Sequence, residues 1–93
     1  MSTPPEPLPT DLQIESALLA LVIHRGQTAS ACPSEVARQL QNEAWRALMP
    51  RVRQVAAELA QKGQIIIMQR GKTVSPTGPW VGPIRIKTAP PNV

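Results

Sequence analysis

Apolar positions along the chain follow two periods, and the switch between them divides it. Ile14, Ala17, Leu18, Leu21 and Val22 recur at i, i+3, i+4, i+7 and i+8, the spacing of one buried helix face. Leu12, Leu19 and Ile23 widen that face, which predicts packing on two sides. Thr10 and Gln13 form a capping-box pair, so the helix is expected to start at Thr10. Asp11 and Glu15 suit the positive end of its dipole, His24 and Arg25 the negative end, and Gly26 the position just past it. A short connection over residues 27–31 leads to a second helix from Pro33 to about Gln41, because a proline in the first turn loses no hydrogen bond. Val36, Ala37 and Leu40 supply its inner face, and Asn42 can end it.

The third helical pattern starts near Glu43 and ends at Gly63. Pro50 either opens this helix after a short turn or sits within its first two turns and kinks it. Leu48, Val52, Val55, Ala56 and Leu59 form its apolar stripe, and Arg46, Arg53, Gln54, Ala57 and Gln61 fall on the opposite face, with Glu58 toward the edge. The period then drops to that of a strand. Residues 64–69 hold Ile65, Ile66, Ile67 and Met68; Arg70, Gly71 and Lys72 make a tight basic turn; Thr73 and Val74 begin a return strand. Residues 75–82 are broken by Pro76, Gly78, Pro79 and Gly82, and residues 83–87 alternate Ile84 and Ile86 with Arg85 and Lys87. Three helices followed by a hairpin predict a mostly α fold with a small β-hairpin, a winged helix-turn-helix of three helices and a two-stranded wing. Residues 10–87 make the folded unit, between a flexible Pro-rich arm at 1–9 and a flexible tail at 88–93.

Composition narrows what such a domain does. Of 93 residues, 42% are hydrophobic but only Trp45 and Trp80 are aromatic, so the core is aliphatic and too small to hollow into a large cleft. The longest apolar run, residues 17–23, is far short of the roughly 20 residues that cross a bilayer. Residues 1–9 lack a basic region and an apolar stretch, so no secretory signal is expected, and with one cysteine a cytoplasmic location is the default. Charge is unevenly placed. Residues 1–43 carry two basic and five acidic groups, whereas residues 44–93 carry eight basic groups against Glu58 alone. A basic half of this kind is an electrostatic footprint for nucleic acid, or simply a solubilising surface.

Several blocks also resemble a known family: Pro33-Ser34-Glu35-Val36-Ala37-Arg38, Trp45-Arg46-Ala47-Leu48-Met49-Pro50, Gln69-Arg70-Gly71-Lys72 and Gly82-Pro83-Ile84-Arg85. They are similar to the domain-of-unknown-function 3253 family of short bacterial proteins, over about residues 12–87. The resemblance implies a winged-helix-like fold and no established activity. The family commonly has an acidic residue before the proline that follows the wing, where this chain has Ser75 before Pro76.

Catalysis finds little in the sequence. The glycines lack phosphate-loop spacing, one histidine makes no metal cluster, and no cofactor is expected. His24 and Cys32 would need to meet to act as base and nucleophile, and each is better explained as a helix-end group and a small thiol. The chain is therefore expected not to be an enzyme. Nucleic-acid binding has a physical case, duplex DNA before RNA. Arg46 and Arg53 lie seven residues apart on one helix face and suit guanine or phosphate, or pair with Glu43 and Glu58; Gln54 and Gln61 suit adenine edges. Arg51 points more to the side and suits contact with the nucleic-acid backbone, Arg70 and Lys72 form a wing tip, and Arg85 and Lys87 extend the basic surface. About five phosphates neutralised would give a log–log salt slope near −4 to −5. The alternative is a protein-interaction adaptor on the same fold, contacting an unidentified protein through Trp80 if that ring is exposed and not a lid on the core. Trp45 is expected to pack at the mouth of the third helix. A monomer or a weak dimer fits either function.

Overall fold

The computed structural model describes residues 8–90, so most of the expected arm and the last three residues lie outside the described residues. The order is α1 (Asp11–Arg25), α2 (Pro33–Leu40), α3 (Trp45–Gln61), β1 (Ile65–Gln69), β2 (Lys72–Thr73) and β3 (Arg85–Thr88). Its three helices and small antiparallel sheet are those of a winged-helix-like fold.

Local chemistry sets the helix ends. The Gln13 N–H donates to Thr10 Oγ1 at 3.1 Å, and the Thr10 N–H donates to Gln13 Oε1 at 2.8 Å. Gly26, at φ 78°, ends α1 with its N–H on the Val22 and Ile23 carbonyls, a backbone that a side chain would strain. Ile14, Leu18 and Val22 are buried, but Leu12 is 73% and Ile23 66% exposed. The expected second packed side of α1 is therefore open, apart from the partly buried Leu19. In α2 the buried Pro33 takes the first position, and the Cys32 N–H donates to Glu35 Oε2 at 2.8 Å. Glu35 also receives the Arg25 guanidinium, which further donates to the Ser30 carbonyl at 3.1 Å. The end of α1 is thus tied to the start of α2.

Of the two placements open to Pro50, the structure has the second: α3 runs unbroken from Trp45 with the proline inside it. Lacking an N–H, Pro50 leaves the Arg46 carbonyl without its usual partner four residues on. Packing compensates, because Leu48, Val52, Val55, Ala56 and Leu59 are all buried.

The sheet differs from a two-stranded wing. Its order is β2-β1-β3, all antiparallel, with Ile67 opposite Ile86 and Met68 opposite both Arg85 and Thr73. The return strand at Lys72–Thr73 is only two residues long, and the longer partner of β1 is β3 on its other edge. Ala31 adds a bridge to Ile86, with reciprocal hydrogen bonds of 2.8 Å. Alternation puts Ile65, Ile67, Ile84 and Ile86 into the core with the helices, and Ile66, Met68, Arg85 and Lys87 on the outer face. Two expected boundaries move. Pro9 is buried although assigned to the arm, and Thr88, assigned to the tail, pairs with Ile65 in β3.

Candidate nucleic-acid interface

The wing is the whole segment 70–84 between the two long strands. Arg70 and Gly71, at φ 51° and 79°, supply the paired positive angles that a two-residue hairpin turn requires. After β2 the chain leaves the sheet, and residues 80–83 run beside α3 without a strand partner. Two side chains stand in for one. Arg53 donates to the Trp80 carbonyl at 3.1 Å and to the Gly82 carbonyl at 3.2 Å. Gln69 Nε2 donates to the Val81 carbonyl at 3.0 Å and the Pro83 carbonyl at 3.2 Å. One side chain takes the carbonyls of 80 and 82 and the other those of 81 and 83, across a bend at Gly82, where φ is 87°. Trp80 Nε1 donates to the Ser75 carbonyl at 2.8 Å, and its ring packs against the core.

This clamp changes the role of two expected contact residues. Arg53 is half-buried, with its guanidinium 5.8 Å from the centre of the Trp80 ring, so it holds the wing and does not stand free for a base or a phosphate. Trp80 is a lid on the core, one of the two roles open to it from sequence, and not an exposed anchor. The ridge of α3 that meets solvent holds Ala47, Pro50, Gln54, Glu58 and Gln61. Glu58 is exposed and forms one margin of that ridge, and Arg46 and Arg53 lie on the opposite flank. Neither Arg46–Glu43 nor Arg53–Glu58 pairs; the ion pairs among the described residues are Arg25–Glu35 and Arg51–Asp11, the latter at 2.6 Å.

The remaining basic groups do not gather on the α3 ridge. Arg46 packs over the Trp45 ring, 4.5 Å from its centre, and Arg38 from α2 lies 4.2 Å from the same ring. Arg38 escaped sequence analysis because its link to Arg46 runs through a ring in another helix. Trp45 packs against the core, as expected. Beside this group, Arg46, Met49, Pro50, Arg53, Trp80 and Gly82 line an open cleft of about 650 Å³. Arg70 and Lys72 are exposed at the turn, with no carboxylate within 4.0 Å among the described residues. Arg85 and Lys87 do not extend the α3 surface. They sit on the outer sheet face, where Arg85 braces Ser30 with bonds of 2.7 Å to its hydroxyl and 3.0 Å to its carbonyl and lines a small pocket with Arg70 and Gly71 of the turn.

Cys32 is half-buried and accepts from the Ser34 hydroxyl at 3.0 Å, while His24 is exposed. Among the described residues no three His, Cys, Asp or Glu side chains group as a metal site, and no helix is long and apolar enough to cross a membrane.

A family model described as "Protein of unknown function (DUF3253)" matches residues 11–89. The chain belongs to that family. The match runs from the first residue of α1 to one past β3, so the family unit is the whole fold including the clamped wing. No match is found among curated proteins.

Proposed function

We propose that this domain binds duplex nucleic acid, with the exposed ridge of α3 over the major groove and the Arg70–Lys72 turn on the phosphate backbone. The observation that supports it is the pair of exposed cations at the wing turn, unpaired among the described residues, while the acidic groups of α1 and α2 occupy Arg51 and Arg25. The clamp adds order to the same wing: Arg53 joins residues 80 and 82 to α3 and Gln69 joins residues 81 and 83 to β1. DNA is favoured over RNA because a B-form major groove admits an α-helix and the A-form groove is too narrow. The domain is then a binding module and not an enzyme, acting in a bacterial cytoplasm.

The test is an NMR titration of the labelled protein with mixed-sequence duplex DNA, at low and then physiological salt. Shifts are expected at Ala47, Gln54, Glu58 and Gln61 and at Arg70 and Lys72, weakening steeply with salt. Absence of shifts at low salt overturns the proposal. A protein adaptor is the second reading, favoured by Val81, which is 92% exposed beside the Arg- and Trp-lined cleft. It would lead if duplex DNA moved no resonance.

A further inference from the structure

Resting on the duplex-binding reading, we infer that Gln54, Glu58 and Gln61 form the base-reading set of α3, and that Glu58 makes a cytosine the central base of the preferred site. The three residues are spaced i, i+4 and i+7, and all are exposed. None of their side chains has a hydrogen-bond or ion-pair partner among the described residues, unlike Arg51 and Arg53. From Gln54 to Gln61 the helix rises about 10 Å, the seven-residue span over which an angled groove helix contacts three successive bases. One ridge therefore faces about three consecutive base pairs.

Glu58 decides what those pairs are. A carboxylate has only acceptors, so facing a phosphate it is repelled, and facing guanine N7 and O6 it meets two further acceptors. It is accommodated opposite a donor, and the amino group at cytosine N4 is the edge it suits. Gln54 and Gln61 each offer one donor and one acceptor group, the pairing that adenine N7 and N6 require. Arginine, the common guanine reader, is absent from the ridge because Arg53 is turned to the wing and Arg46 to Trp45. The preferred core is thus adenine-type contacts on either side of a cytosine. Glu58 also acts against other sequences, since a wrong base leaves its charge desolvated without a partner.

The experiment is selection of bound duplexes from a randomised pool at fixed salt, for the wild type and for Glu58→Gln and Gln54→Ala. Each substitution is at an exposed side chain, and circular dichroism is expected to be unchanged. The wild type is expected to enrich a cytosine, and Glu58→Gln to convert that position to adenine with roughly a tenfold change in relative affinity. Gln54→Ala should relax a neighbouring position and leave the cytosine. Identical pools for wild type and Glu58→Gln, or wild-type binding without enrichment, overturn the inference and leave duplex binding standing. No retention of any duplex at low salt overturns duplex binding itself.

Discussion

Arg53 serves two carbonyls two residues apart: Nη2 donates to both Trp80 and Gly82 and Nη1 adds a second bond to Gly82, a fixed three-bond set that a lysine's single, freely rotating ammonium does not hold. Arg53→Ala is expected to destabilise by about 1–2 kcal/mol and Arg53→Lys by nearly as much. Amide exchange should accelerate over residues 75–83, with α1 unaffected; uniform acceleration would show that the clamp is not a local device. Nothing in the sequence marks this role. Arg53 sits where a groove-facing arginine would, and its partners lie 27 and 29 residues away in a segment without periodicity. Thr10 and Gln13 were legible because their capping box is complete within four residues. Glu35 combines both situations. Its bond to the Cys32 N–H is local, but its pKa is lowered chiefly by the hydrogen bond from Arg25, ten residues away, with the Cys32 N–H adding to the effect. A carboxyl with a lowered folded pKa contributes stability above its unfolded value of about 4.5, and that contribution fades as pH falls through the folded value. Glu35→Gln keeps a capping acceptor and loses the charge. Its melting temperature should lie below wild type at pH 7 and converge with it in acid, and parallel curves from pH 7 to pH 2 would refute the linkage.

At the scale of elements, α3 pays for its proline in one missing hydrogen bond and recovers stability through a buried stripe of five residues. Pro50→Ala restores the donor to the Arg46 carbonyl at an exposed position. It is expected to stabilise by about 2 kcal/mol, less than the full cost of an interior proline because the unfolded chain also gains freedom. Thermal denaturation should show this as a rise of roughly 10 °C; no rise would mean that the carbonyl already has another donor. The helices were readable because their apolar spacing is dense and their stops are Gly26 and Gly63. The strand pattern at Ile84 and Ile86 was readable too, but its partner was not. Strand order depends on which edge of β1 the chain returns to, and the clamp on residues 80–83 steers that return. Ile86 lies at the junction, fully buried, opposite Ile67 and bridged to Ala31. Ile86→Ala should cost about 2–5 kcal/mol. A domain this size has roughly 4–12 kcal/mol in all, so substantial unfolding near 37 °C is expected by circular dichroism.

Over the whole molecule, the basic half of the sequence does not become one basic face. Arg51 is paired with Asp11, Arg53 is spent on the wing, and Arg85 and Lys87 project from the outer sheet face. Arg38, Arg46, Arg70 and Lys72 remain on the α2–α3 flank and at the wing turn, with Lys62 exposed just past the end of α3. Four phosphate contacts give a log–log salt slope of about −3.6, shallower than the value the sequence suggested for five. The division is testable because the two groups of cations should behave differently. Arg70→Ala with Lys72→Ala should shorten the slope by about 1.8 and weaken binding alike on all duplexes. Arg85→Ala with Lys87→Ala removes the same formal charge and should shorten the slope less, because Arg85, although it lines a pocket with Arg70, is held by Ser30, and Lys87 lies further along the strand from the turn. Equal losses in the two double variants would mean that the protein responds to net charge alone, without a defined face. A larger loss from the Arg85 and Lys87 pair would place the nucleic acid across the sheet and take α3 out of the groove.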